Sequence, residues 1–224
     1  MNGILLVNKE KGTTSFQIVS LLRKITGIET IGHAGTLDPF ATGVMVMMIG
    51  REYTRKSDQF LTDDKQYLAE LHLGIATDSH DIDGQVTSRS EQIPTEHQID
   101  LAIASFQGTI LQTPPMFSAK KIKGKKLYDL ARRGITVERQ PALIRLKIEK
   151  IRYAYPHLEI LVDCSKGTYI RSLAHDLGQA LSCGAHLSSL CRTRSGKFTL
   201  EECISHTLMK SDTFDYTRHI KKDP

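Results

Sequence analysis

The sequence predicts an α+β fold built round a largely antiparallel, mixed sheet flanked by helices. Three observations predict it. Apolar residues alternate over short stretches that lie close enough in the chain to pair as hairpins. Helix-spaced apolar stripes open with capping boxes. The two kinds of element interleave irregularly, without a strict strand–helix repeat. The 224 residues suffice for one large domain or two small ones. With 40% hydrophobic and 25% charged residues, the composition excludes a disordered, collagen-like or coiled-coil chain.

Residues 3–8 (GILLVN) read as a short buried strand. Thr14 opens a capping box with Gln17, and Ile18, Leu21, Leu22 and Ile25 then mark one face of a helix. Residues 43–49 are apolar without alternation, as in a strand buried on both faces. From Tyr67 to Leu73 the pattern alternates, with Tyr67, Ala69, Leu71 and Leu73 on one side. Thr95 and Gln98 form a second capping box, ahead of Ile99, Ala102, Ile103 and Phe106. Leu146–Ile151 and Leu158–Asp163 read as two further strands. Thr168 is the expected N-cap of a third helix carrying Ile170, Leu173, Ala174 and Leu177 and ending near Gly184.

Charge is unevenly spread. The net charge is +5, yet Ser118–Arg152 holds twelve Lys or Arg against three acids, a local +9. The remainder, with 18 basic and 22 acidic residues, carries −4. That is the footprint of a polyanion partner, with nucleic acid first in line, or else of a solvated basic face. Prolines at 114, 115 and 141 bracket the basic stretch, and only Leu127–Arg133 within it has helix character, closed by Gly134. Residues 114–141 are therefore expected to form an inserted arm outside the core.

Other classes of function drop out. The longest apolar run, Gly43–Gly50, is too short for a membrane helix, and the N-terminus lacks the basic flank of a signal peptide, so the cytoplasm is expected. Cysteines at 164, 183, 191 and 203 form no C-x-x-C pair and read as free thiols. Thr77–Gly84 (TDSHDIDG) hints at a calcium loop, but Ser90 stands where the bidentate Glu belongs. Gly50–Ser57 has Arg55 where a phosphate loop needs glycine.

Two stretches carry chemistry. Gly32–Gly43 (GHAGTLDPFATG) places three glycines, His33 and Asp38 before a buried strand, and a glycine-rich loop there allows another backbone to approach. Asp38 followed by Pro39 also suits the start of a helical turn, so a catalytic and a capping role both stand. In the second stretch, Ser165–Arg171, Arg171 falls in the first turn of a helix, where a cation opposes the dipole and wants a carboxylate. Asp38, Asp163 and Asp176 are the candidates.

In order along the chain, GHAGTLDPFATGV, Lys65-Gln66-Tyr67, TDSHDIDG, PPMFSAKKIKGKKLYDLARRG, CSKGTYIRSL and CGAHLSSLCRTRSG resemble the motifs of the TruB-type tRNA pseudouridine synthases. The resemblance spans Gly3 to about Leu208. It implies the pseudouridine synthase fold with an inserted basic RNA-binding arm, and conversion of uridine 55 in the tRNA T-loop to pseudouridine after base flipping, with no metal and no cofactor. It makes Asp38 the essential aspartate, as nucleophile or as base, and Arg171 its partner. Tyr67 resembles the tyrosine that stacks on the flipped base, Tyr169 and Leu190 residues lining the uracil pocket, and His33 the histidine that wedges into the T-loop. Lys9 falls in the basic N-terminal motif, which here reads Asn8-Lys9-Glu10-Lys11-Gly12 and lacks the family's proline. Lys120, Lys121, Lys123, Lys125, Lys126, Arg132 and Arg133 are the expected RNA-binding residues of the arm. Residues 1–210 are the expected catalytic domain and 211–224 a short tail without the family's C-terminal RNA-binding domain. The missing domain favours action without an obligatory protein partner; the expected partner is the tRNA T-arm, with no membrane, and a monomer is expected. A tRNA-folding chaperone in which catalysis is secondary is the alternative.

Overall fold

The strand predicted at residues 3–8 forms as β1 (Gly3–Lys9) in a computed structural model that describes residues 1–61, 64–118, 120–122 and 124–222. The chain divides into two units, Met1–Leu68 with Leu190–Pro224 and Ala69–Ser189. In the first unit, α1 (Ser15–Thr26) begins at the Thr14–Gln17 capping box and stops at Gly27, whose φ of 69° a residue with Cβ adopts only at a cost. β2 (Ile31–His33) and β3 (Thr42–Ile49) follow, then the short helices α2 (Arg51–Thr54) and α3 (Ser57–Leu61) and the start of β4 (Lys65–Leu73). All seven residues from Gly43 to Ile49 are buried, as an unalternating apolar run requires. Val44, Val46 and Met48 pack with Ile4, Leu6, Tyr53, Phe60 and Phe198, each large side chain contributing roughly 1.5–3 kcal/mol by leaving water.

The second unit takes up β4 from Ala69 and continues through β5 (Ile75–Thr77), β6 (Val86–Arg89), α4 (Glu96–Ser105) and β7 (Gly108–Gln112). The basic stretch holds a two-residue hairpin, β8 (Lys121–Ile122) with β9 (Lys125–Lys126), and α5 (Leu127–Ala131). β10 (Ala142–Ala154), β11 (His157–Cys164) and α6 (Ile170–Ala180) come next, and then β12 (Ala185–Ser195), which re-enters the first unit at Leu190. β13 (Phe198–Thr199) and β14 (Ile204–Ser205) complete the strands.

In the first unit the strand order is β14-β1-β3-β12-β4, with β2 added beside β3 and β13 beside β12. β1 and β3 are antiparallel, whereas β3 runs parallel to β12 and β1 parallel to β14. In the second unit the order is β12-β4-β11-β10-β7, antiparallel at β11-β10 and β10-β7. Helix α4 packs on β10 and on α6, burying Ile99 and Ile103 of α4 and Leu173, Ala174 and Leu177 of α6. This is the α+β architecture expected, a mixed sheet flanked by helices.

Three expectations are corrected. The third helix is capped by Tyr169, not Thr168, whose hydroxyl instead donates to Ser165 O (2.8 Å). It ends at Ala180, four residues before Gly184, because Leu181 already leaves the helix as its C-cap. The basic arm also contributes to a core: Leu127 and Leu130 are buried, since a five-residue helix has to hide its apolar side to hold at all.

Candidate active site

The loop after β2 owes its shape to local anchors. Ala34 donates its N–H to Val46 O (3.0 Å), and Leu37 donates to the Ser15 hydroxyl (3.1 Å). Ala41 N–H donates to Asp38 O (3.1 Å), so Asp38 opens a tight turn with Pro39 in the position that favours its fixed φ. A turn of four residues forms here, not the helical turn that Asp-Pro also permits.

Beneath this turn lies Lys9, with none of its surface exposed. Its ammonium donates to the carbonyls of Glu10 (3.0 Å), Pro39 (3.1 Å) and Ala41 (2.5 Å). Gly12 N–H adds a bond to Pro39 O (2.8 Å). Burial pushes the Lys9 pKa down to about 8, the Asp38 carboxylate pulls it back up, and the Arg192 guanidinium pushes it down again. Within the first unit Lys9 therefore feels both the Asp38 and the Arg192 charge.

Arg192 is not singled out by sequence reasoning, although it lies in the CRTRSG stretch. It is 1% exposed, donating from Nε to Val44 O (2.7 Å) and from Nη2 to Gly35 O (3.1 Å). The parallel pairing of Gly43 with Arg192 brings the backbones so close that a Cβ on Gly43 would stand 2.3 Å from Arg192 O. Glycine at 43 is thus a packing requirement, compounded by its φ of 105°. Burial and the Arg192 charge hold the His33 imidazole below its ordinary pKa, so His33 is neutral at pH 7. Tyr67 is half-buried on β4, and Leu190 is buried on β12, its carbonyl accepting from the Thr42 hydroxyl (3.4 Å).

The second unit carries Arg171 and Tyr169. Arg171 is 7% exposed, and its guanidinium binds Asp81 Oδ2 (3.3 Å), Ser79 O (3.2 Å) and Phe117 O (2.6 Å). One carboxylate partner is thus Asp81, which sequence reasoning does not name. Asp81 also accepts from the Ser79 hydroxyl (2.5 Å). The TDSHDIDG stretch thus spends one of its three carboxylates on an arginine. Among the described residues no group of His, Cys, Asp and Glu is arranged to hold a metal ion. Asp176, another candidate partner, has its carboxyl pKa raised by burial.

Tyr169 is held by Gln112: the Gln112 side-chain oxygen accepts from Tyr169 N–H (2.8 Å), and its Nε2 donates to Tyr169 O (3.0 Å). Nearby, His80 stacks on His175 with ring centroids 4.0 Å apart and planes 6° apart. Burial, then the charges of His175, Arg171 and Arg139, lower the His80 pKa to about 4.

In the arm, Lys120, Arg132 and Arg133 are exposed. The backbones of Lys121, Lys125 and Lys126 form the β8–β9 hairpin, and Lys123 lies outside the described residues. Arg132 sits over the Tyr128 ring at 5.4 Å. No helix among the described residues is long and apolar enough to cross a membrane, and none of the four cysteines is joined in a disulfide.

Comparison with known proteins gives a consistent picture. Residues 23–170 match the family described as TruB family pseudouridylate synthase (N terminal domain), and residues 171–219 match the tRNA pseudouridylate synthase B C-terminal domain. The chain is 63% identical over 205 residues to the tRNA pseudouridine synthase B of Protochlamydia amoebophila, covering 92% of this chain and 78% of that protein. It is 52% identical over 219 residues to the protein of the same name from Chlamydia pneumoniae, covering 98% and 93%. Among solved structures it resembles a chain of a Cbf5-Nop10-Gar1 complex, with a TM-score of 0.75 at 30% identity, covering 98% of this chain and 60% of that one. It also resembles a chain of an H/ACA RNP bound to a substrate RNA containing 2'-deoxyuridine, with a TM-score of 0.69 at 29% identity, covering 98% and 56%. The chain thus spans little over half the length of these two structural relatives.

Proposed function

This chain belongs to the TruB family of pseudouridylate synthases, which are isomerases, and from that premise we propose that it converts uridine 55 in the T-loop of tRNA to pseudouridine with Asp38 as the essential carboxylate. The observation that carries the assignment is the mounting of Asp38. The backbone turn it opens is pinned by a fully buried lysine through Pro39 O and Ala41 O, and Asp38 and that lysine act on each other electrostatically. A carboxylate on such a base keeps one position while an RNA enters, and position accounts for much of a rate enhancement.

The chemistry asks little else of the protein. An internal uridine is first extruded from its stack, at a cost of a few kcal/mol that backbone contacts offset. The C1′–N1 bond breaks, uracil turns while it is retained, and C1′ joins C5. The C5 proton is lost and N1 gains one, so the reaction balances as an isomerisation. Asp38 acts at the sugar or the base as nucleophile or as proton acceptor. Tyr67 stacks on the flipped base, Tyr169 and Leu190 line the pocket, Arg171 orients the Asp38 carboxylate, and the neutral His33 fills the place the base leaves. Lys9 supports the turn. The exposed Lys120, Arg132 and Arg133, with Lys121, Lys123, Lys125 and Lys126, bind tRNA phosphates. The enzyme works in the cytoplasm as a monomer without an obligatory partner.

Tritium release from a tRNA transcript labelled at uracil C5 tests the proposal, with wild type and Asp38→Asn side by side. Wild type should release label from the T-loop uridine, and Asp38→Asn should release none while still binding tRNA. Equal release by both would remove Asp38 from its role. Release by neither, with tRNA binding intact, would favour the chaperone reading that the basic arm also suits.

A further inference from the structure

We propose that Gln112 is a positioning residue for this reaction: it caps helix α6 from outside, and with its neighbours it fastens the root of the basic arm to Tyr169 and Arg171. The inference rests on the reading above, in which Tyr169 lines the uracil pocket.

Gln112 ends β7 and is 3% exposed. A primary amide in such a place costs free energy unless both its polar ends are bonded. Both bonds go to one residue, Tyr169, 57 positions later in the chain. Tyr169 is the N-cap of α6, and its own side chain makes no cap. Its N–H has no place in the helical ladder, and its carbonyl already accepts the first intrahelical bond from Leu173 N–H (3.1 Å). Gln112 satisfies the N–H and gives the carbonyl a second donor. It thereby fixes where the helix begins and which way Tyr169 leaves it.

Further contacts follow beyond the end of the strand. Ser172 donates its hydroxyl to Thr113 O (3.1 Å), and Arg171 Nη2 donates to Phe117 O (2.6 Å). Residues 112 and 113, which lead into the arm, and residue 117 near its start thus hold residues 169, 172 and 171 of the helix start. Arg139, at the arm's far end, donates to Pro114 O (3.1 Å) and closes the root. A force on the arm therefore reaches Tyr169 and Arg171 through hydrogen bonds, and phosphate binding on the arm bears on the placement of both.

The test compares Gln112→Met, which keeps the length and loses both bonds, with Gln112→Glu, which keeps the acceptor for Tyr169 N–H and sets a carboxylate oxygen against Tyr169 O. Three quantities are read: single-turnover rate on saturating tRNA, Kd for tRNA, and hydrogen exchange of the Tyr169 amide in the free protein. In Gln112→Met the rate should fall about tenfold to a hundredfold, as expected for a displacement near 1 Å. Kd should stay within about twofold, and Tyr169 exchange should accelerate. In Gln112→Glu the rate should fall while the amide stays protected. An unchanged rate in Gln112→Met overturns the inference, and so does a rate loss matched by the unfolded fraction. If the Met variant does not fold, Gln112→Glu decides on the same readouts. Inactive wild-type protein would count against the functional reading, while unaltered Tyr169 exchange in Gln112→Met would still refute the clamp.

Discussion

Replacing His80 by asparagine should make the protein resistant to mild acid. His80 sits at φ 64°, a left-handed conformation that asparagine tolerates, and its ring stacks on His175. The titratable and charged groups acting on it are His175, Arg171, Arg139 and Asp78, and burial together with the first three lowers its pKa from 6.5 to about 4. The unfolded chain takes up a proton at this site near pH 6.5, and the folded protein does so only near pH 4. The stability tied to this group is therefore fully present above pH 6.5 and is lost as pH falls. From these two values the loss is about 2 kcal/mol at pH 5 and about 3 kcal/mol at pH 4. In urea, with a slope of about 2 kcal/mol/M, the midpoint of wild type should drop by about 1 M between pH 7 and pH 5 on this account. An asparagine side chain cannot titrate, so His80→Asn should lack that increment, and groups unaffected by the change cancel in the comparison. Equal midpoint shifts in the two proteins would refute the reasoning.

Other outcomes follow from the same geometry. Gly43→Ala should cost more than about 3 kcal/mol or abolish soluble expression, because Cβ meets Arg192 backbone at a left-handed φ; a melting temperature within a degree or two of wild type would show that the β3–β12 approach is looser than described. Asp81→Asn removes the charge opposite the buried Arg171 guanidinium and should cost about 3 kcal/mol, or roughly 6–12 °C in melting temperature; an unchanged melt would mean that Arg171 does not depend on Asp81. Raising salt from about 50 to about 200 mM should weaken tRNA binding roughly tenfold or more, and a flat response would exclude the basic arm as a phosphate-binding element.

The features legible in the sequence are those whose cause is local. Thr14–Gln17 and Thr95–Gln98 cap their helices within one turn of chain, so the boxes specify α1 and α4 without reference to anything distant. The unbroken apolar run from Val44 to Ile49 reads as a strand hidden on both faces, and it is. The basic excess of 118–152 is plain arithmetic. Asp38, His33 and Lys9 are reached through motif resemblance, whereas the burial of Lys9 beneath the Asp38 turn is not written in the sequence.

What tertiary structure alone decides is which distant groups satisfy the buried charges and amides. Arg171 shows in the sequence its need for a carboxylate, and three candidates can be written down; Asp81, which a hairpin of the chain brings to it, is a further one that the sequence does not mark. Thr168 looks like the N-cap by residue type, yet the cap comes from Gln112, 57 positions away from Tyr169. Arg192 looks like one more surface cation until Val44 O and Gly35 O are seen around it. Capping and periodicity depend on neighbours within about four residues, and a sequence displays those directly. A buried polar atom is satisfied by whatever the fold sets beside it, and many partners of equal chemistry stand in the chain, so that choice is made only in three dimensions.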